Sequence, residues 1–383
     1  MMNTGFRKAR RLAHFVLALG LVSFGGGSDA AADTNRAALI GRFDQLLLPA
    51  VESAIRKPAT TQGGEIAWGE SYQLSALVEM LDATRDARYA ALAVKLSDWI
   101  AKSRDDRQGL RDEFRDKVVT AWSSTNYSQG KRYVWAVHTG MIVAPMARFA
   151  AVVRGDPALR KAWGKDADRL LRLAEEAVAV HDEDYRDGPG PDEGYLHSLF
   201  LKKHLPLNMQ NALARAWLAI DDATKTPKHR ERIIRLARFL KNRLRPMEDG
   251  SYVWAYWPPL ESAADSFEDI SHATINVDFM VLCHEHGIVF TRDDLARVEK
   301  TLFKRVLLAD DRISDTVGGG NKFNTYPSAV LKWGRLGRHA PEVRERLIEF
   351  VLKPGLDRET TAVPLGIAYL SLPPAAAGKT APN

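Results

Sequence analysis

Helical periodicity recurs along nearly the whole chain, and its connections alternate between short polar turns and long aromatic loops. That alternation narrows the fold more than composition does. The periodic stretches are about 36–56, 72–84, 88–102, 137–153, 157–178, 207–221, 227–244, 271–286, 292–307, 326–337, 341–352 and 362–371. Within pairs, the breaks at 85–87, 154–157, 225–227, 290–292 and 338–341 are αα-hairpin turns rich in Gly, Pro or charge. Between pairs, segments 104–135, 179–206, 245–269 and 308–325 are far longer, and Trp122, Tyr127, Trp254, Tyr256 and Trp257 argue against disorder in them.

Short turns at one end and long loops at the other describe two concentric rings of helices. Helices starting near Tyr72, Val137, Leu207, Ser271, Tyr326 and Ala362 form the inner ring, and those near Arg88, Pro157, Pro227, Arg292 and Pro341 the outer. Stretch 36–56 is left to pair with the last helix and close the ring. The predicted class is all-α: one (α/α)6-type toroid over residues 33–375, its long loops forming one rim, with a repeated hairpin but no identical repeat. An open helical solenoid differs only in lacking the closure.

Residues 1–32 read as a secretory signal. Arg7, Lys8, Arg10 and Arg11 precede an apolar run from Ala13 to Phe24, and Ala30-Ala31-Ala32 offers a small-residue cleavage site. The mature protein is therefore expected to be periplasmic or secreted, with 376–383 as a disordered tail. Half of the formal charge of +6 resides in that leading segment, so nucleic-acid binding has little support. No later stretch is expected to reach the roughly 20 apolar residues of a membrane span, which argues against membrane insertion. A single cysteine, Cys283, leaves no internal disulfide, so stability has to come from a sizeable core.

Five inner-helix starts face the rim with the long loops. They carry Glu70 and Tyr72; Trp135 and His138; Asn208 and Asn211; Glu268, Asp269, Ser271 and His272; and Lys322, Asn324 and Tyr326. Trp254 and Tyr256 come from a neighbouring loop. Aromatic, amide, imidazole and phenol groups thus converge on one funnel, as in a carbohydrate cleft where rings stack on sugars and polar groups orient them. Each has a structural reading too: Asn208 as a cap, His138 as a core histidine, Tyr326 as packing, Lys322 as a solvated charge. Asn211 shares a helix face with Asn208. Ser271 is placed to cap the next helix, leaving His272 in the first turn, where the dipole disfavours an imidazolium and a neutral imidazole can act as base.

Other constellations lack their chemistry. His284 and His286 are two apart on a helix and face different ways. The acidic run 181–188 puts Arg186 where a calcium loop needs its third ligand, and reads as a solvated loop. Segment 318–322 lacks phosphate-loop spacing. Neither a metal nor a cofactor is called for.

With the rim residues assembled, the chain resembles the helical-toroid polysaccharide lyases, particularly those acting on glucuronan- or alginate-like polyuronates. The resemblance is architectural over most of the mature chain and residue-level around Asn208, His272 and Tyr326. It implies an exported enzyme that cleaves an anionic, uronate-containing polysaccharide by β-elimination: an amide neutralises the carboxylate, a histidine or tyrosine removes the C5 proton, and a tyrosine protonates O4. The alginate-lyase pattern of paired asparagines followed by His-Ser is not matched, because Met209 and Gln210 separate Asn208 from Asn211.

The chemistry fits the same residue types independently. Charge developing on the carboxylate has to be met by donors aimed at it, for which Asn208 or Asn211, His138 and Lys322 are suited. Proton transfer then falls to His272 as base and Tyr326 as acid, or to Tyr326 for both. Glu70, Tyr72, Trp135, Trp254, Tyr256 and Asn324 are the expected cleft lining. Three alternatives stay open: a glycoside hydrolase using two of Glu70, Asp192, Glu193, Glu268 and Asp269, a uronate C5-epimerase, and a non-catalytic polysaccharide binder.

Overall fold

The computed structural model describes residues 27–59, 62–309, 312–320, 322–353, 355–356 and 359–375. The basic and apolar parts of the expected signal, the expected tail 376–383 and Asn321 lie outside them. Residues from Leu39 onward form one compact unit, and every contact described below lies within it.

The short turns form where their chemistry places them. Helix α3 (Glu70–Thr84) stops at Arg85, whose backbone is left-handed (φ 61°). Asp86 then caps α4 (Ala87–Lys102) by accepting from the Arg88 amide at 2.9 Å. Between α6 (Ala136–Gly155) and α7 (Pro157–Ala179), Asp156 accepts from the amides of Ala158 and Leu159, with proline at the first helical position. Thr291 and Asp294 form a reciprocal capping box at the start of α11 (Arg292–Thr301). The other α-helices are α1 (Gly27–Ala54), α2 (Glu65–Trp68), α5 (Asp105–Gln108), α8 (Leu207–Thr224), α9 (Arg230–Lys241), α10 (Ile270–Glu285), α12 (Pro341–Val351) and α13 (Ala362–Ser371), with 3-10 helices at Asp182–Asp184 and Pro327–Arg338 and a π-helical turn at Leu302–Val306.

The inner ring closes. Around it α3 packs on α6, α6 on α8, α8 on α10, α10 on the 3-10 helix, that helix on α13, and α13 back on α3. Outside, α4, α7, α9 and α11 each cover their hairpin partner, and α12 covers the last two. The expected closure by the first helix is corrected: α13 meets α3 directly, and α1 lies outside, with Phe43 edge-on to Tyr89 and Asp44 accepting from the Tyr89 hydroxyl at 2.7 Å. Two-sided burial explains why the inner helices read as apolar all round. Helix α6 is even long and apolar enough to cross a membrane, contrary to expectation, but 89 % of that apolar window is buried inside the fold. At Gly140 a side chain would meet the Ala212 backbone at 2.3 Å, so α6 and α8 approach closely enough to need the glycine.

The long loops hold small antiparallel sheets that sequence periodicity missed. Strands β1 (Tyr185–Asp187), β2 (Gly194–Ser198) and β3 (Lys203–His204) form one, and β4 (Arg245–Pro246) with β5 (Tyr252–Val253) the other. Strands of two to five residues are too short for alternation to register. The acidic run at 181–188 is not simply solvated either. His181 donates to Asp184 at 2.7 Å and bonds Thr139 of α6 at 2.9 Å, while the buried Arg115 joins Asp184 to Asp112. Burial alone would raise the Asp184 carboxyl, but His181 and Arg115 hold it below its usual value.

Candidate active site

The first intrahelical bond of α10 runs from the Ala273 amide to the Asp269 carbonyl at 2.9 Å, which makes Asp269, not Ser271, the N-cap. Its Oδ1 accepts from the amides of Ser271 (3.0 Å) and His272 (3.2 Å). Its Oδ2 accepts from Nδ1 of His272. Burial pushes the Asp269 carboxyl up, yet the imidazole and the two amides outweigh it and hold the group ionised. An ionised carboxylate on Nδ1 leaves the lone pair of a neutral His272 on Nε2.

Tyr256 completes this corner. Its ring lies 4.8 Å from the His272 ring at 40°. Burial, with Glu268 and Asp269 adding to it, pushes the phenol up to about 12, so it stays protonated. The Tyr256 carbonyl accepts from the Leu207 amide at 3.1 Å, which brings the loop onto the start of α8 beside Asn208. Asn208 is fully buried, and neither its Oδ1 nor its Nδ2 has a hydrogen-bond partner among the described residues. Leaving a whole buried amide unpaired is costly unless a ligand completes it.

Behind this corner runs a chain of polar groups. Glu268 is completely buried; its Oε2 accepts from Trp254 Nε1 and from Asn276 Nδ2 (2.6 Å), and Asn276 Oδ1 accepts from Asn211 Nδ2 (2.6 Å). Burial raises the Glu268 carboxyl well above the usual range. Asn211 therefore links α8 to α10, whereas the buried Asn208 amide has no partner among the described residues.

On the facing wall, His138 is buried, with Ser124 Oγ 3.4 Å from Nδ1 and Nε2 unpaired. Trp68 meets it edge-on at 5.6 Å, and Tyr127, 60 % exposed and left-handed at φ 66°, lies 6.5 Å from both His138 and Trp135. Gly64 (φ 83°) passes so close that a Cβ would sit 2.9 Å from His138 Cε1. Burial lowers the His138 pKa from 6.5 to about 4. A histidine with a depressed folded pKa contributes stability above its unfolded pKa, lost as pH falls because the unfolded chain takes up the proton first. Wild-type urea midpoints are thus expected to fall between pH 6.5 and 4, and His138→Gln to flatten that part of the profile.

Other sequence candidates are placed differently. Lys322 points to solvent with its side chain 85 % exposed, paired with Asp315 at 2.7 Å. The Tyr326 hydroxyl is held by Glu359 (2.8 Å) and Thr361 (2.9 Å), and Asn324 accepts from the Tyr326 amide in a local turn. Trp135 and Trp254 are fully buried, the first against Tyr133 and Phe200, the second stacked on Trp333, so they shape the walls without offering a face to a sugar. Glu70 is partly buried, which raises its carboxyl, and Tyr72 is buried beneath Lys332. Tyr127 and Lys332 had no sequence signal beyond an aromatic in a long loop and a lone lysine in an apolar run.

At and beyond the middle of the inner helices lies a layer of buried ion pairs. Arg335 bonds Asp278 and Glu79, each at 2.6 Å, and Arg215 pairs with Asp278 at 2.8 Å. Further along, the C-terminal ends of α8, α10 and the 3-10 helix meet, His286 bonding Asp222 at 2.9 Å and Arg338 bonding Glu285 at 2.5 Å, so these inner helices run parallel. A cavity of about 290 Å³ lies on this layer, reaching Asp222, Glu285 and His286. It is separate from the Asn208–Tyr256–His272 corner.

No family model matches the chain, and no curated protein matches it in sequence. Solved structures do resemble it. An inactive double-aspartate variant of an α-1,6-mannanase from Salegentibacter sp., in complex with α-1,6-mannotetrose, aligns at TM-score 0.54 and 12 % identity over 88 % of this chain and 98 % of that one. Cellobiose 2-epimerase from Bacillus thermoamylovorans aligns at 0.58 and 8 % over 88 % and 99 %, and the Spirochaeta thermophila cellobiose 2-epimerase at 0.54 and 12 % over 89 % and 96 %. At such identities the likeness carries the fold alone, and that fold is the α/α toroid of these enzymes.

Proposed function

We propose that this protein is a carbohydrate-active enzyme, and specifically a lyase that cleaves a uronate-containing polysaccharide by β-elimination. The observation that carries the reading is the corner where an Asp269-oriented His272 lies against a protonated Tyr256, whose loop is tied through its carbonyl to Leu207, the neighbour of the unpaired Asn208. The names of the structural neighbours, which pair this fold with oligosaccharides, favour a sugar substrate.

In the proposed step the Asn208 amide donates to the substrate carboxylate, stabilising the charge that builds as the C5 proton leaves. Nε2 of His272 takes that proton. The electron pair forms the C4–C5 double bond, the C4–O4 bond breaks, and the Tyr256 hydroxyl protonates O4. Tyr256 replaces Tyr326 as acid because the Tyr326 hydroxyl is engaged by Glu359 and Thr361. The hydrolase alternative loses most of its carboxylates: Glu193 is bound by Arg243 and Asn242, Asp192 is on the surface beside Arg238, Glu268 serves Trp254 and Asn276, and Asp269 serves His272. Export, expected from residues 1–32, belongs to the same proposal.

Incubating the mature protein with glucuronan, polymannuronate and polyguluronate, while following both ultraviolet absorbance and reducing ends, tests it. Absorbance rising with reducing ends is the expected result. Reducing ends without absorbance make it a hydrolase, and neither signal with any polymer overturns the lyase reading.

A further inference from the structure

Lys332 lies on the inner 3-10 helix and is only 5 % exposed, yet it makes no hydrogen bond or ion pair among the described residues. Its Nζ is 4.1 Å from the centre of the Tyr72 ring and 5.7 Å from that of Tyr326. Cation–π contact offsets only part of the cost of withdrawing an ammonium from water. The acids nearest in sequence register cannot help: Arg335, one turn on, already occupies Glu79 and Asp278. Among the described residues, the fold thus sets a cation between two phenol rings and supplies no anion for it.

The 3-10 helix that carries Lys332 packs on α10, which begins at the reactive corner. The next residue, Trp333, stacks on Trp254, which donates to Glu268 beside Asp269. We propose that Lys332 binds the carboxylate of a second uronate unit, next to the one handled by His272, so that the funnel recognises a charged chain and not a single sugar. The inference rests on the polyuronate reading above. Tyr72 and Tyr326 then serve as the walls of that subsite, holding the ammonium and flanking the ring it recognises.

The test is binding in a His272→Ala background, where the chain is not cleaved. Calorimetric titration uses saturated tetrasaccharides of glucuronate, mannuronate and guluronate, each beside its carboxyl-reduced neutral counterpart. Adding Lys332→Met is expected to weaken the preferred charged tetrasaccharide about thirtyfold or more and to leave the neutral one unchanged, with Lys332→Arg intermediate. Thermal midpoints serve as the structural check: Lys332→Met is expected to match or exceed its parent, because it removes an unpaired buried charge. Equal binding by Lys332→Met, equal weakening of charged and neutral ligands, or no binding to any of the three overturns the inference. Lys332-dependent binding by a protein that yields no unsaturated product overturns the lyase reading alone, and product formation with Lys332-independent binding overturns only this inference.

Discussion

Arg335→Ala is expected to destabilise the protein by about 3–5 kcal/mol, the usual effect of removing one member of a buried ionic cluster. The guanidinium is 4 % exposed, bonds Asp278 through Nε and Glu79 through Nη2 at 2.6 Å each, and sits 4.5 Å over the Tyr369 ring. Burial would raise Glu79 strongly, and Arg335 with Arg148 more than offsets it. Removing Arg335 leaves Glu79 and Asp278 short of a cation in the middle of the ring. Urea unfolding at pH 7 measures the loss. Combining Arg335→Met with Glu79→Gln should recover part of it, since Asp278 keeps Arg215 at 2.8 Å whereas Glu79 is left with only the more distant Arg148 at 3.6 Å. A single variant within 1 kcal/mol of wild type would mean that the layer is hydrated and its members independent.

The second large effect is on catalysis. His272→Ala is expected to lower turnover by about 10²–10⁴-fold, the range for a lost general base, with the unfolding midpoint little changed because the side chain is part-exposed at a helix start. Asp269→Asn separates two roles. Asparagine caps as well as aspartate, so the helix is retained, but it no longer fixes the imidazole with a negative charge, and turnover falls less than in His272→Ala. Tyr256→Phe should approach the His272→Ala loss, whereas Tyr326→Phe should stay near wild type in the chemical step. Initial rates of absorbance on the preferred polymer decide between them. Full activity in His272→Ala would move the base elsewhere.

The ring architecture was legible because both of its signals are local: caps and prolines mark the short turns, and all-round apolar helices mark the inner ring. The places of His272, Asn208 and His138 at predicted inner-helix starts were also legible, as was that of Tyr256 in a long loop. Their roles were not. Which tyrosine is free depends on Glu359 and Thr361 engaging Tyr326 from 33 and 35 residues away, a contact that no spacing encodes. Lys322 was over-read because a lysine beside a helix start looks the same whether it turns inward or, as here, out to Asp315. Lys332 was passed over for the opposite reason: a charge inside an apolar helical run looks like an exception until the ring shows which way it faces.

The packing of α13 on α3 also fixes the order of events during synthesis. These helices lie at opposite ends of the toroid sequence, and the Glu79–Arg335 bond beside them spans 256 residues. Each αα-hairpin can form as it leaves the ribosome, but α3 has no neighbour on one side until Ala362–Ser371 has been made. Such non-local pairing slows folding and leaves apolar surface uncovered meanwhile. A chain ending before α13 would keep most of its hairpins and lose the circle that aims them at a common axis.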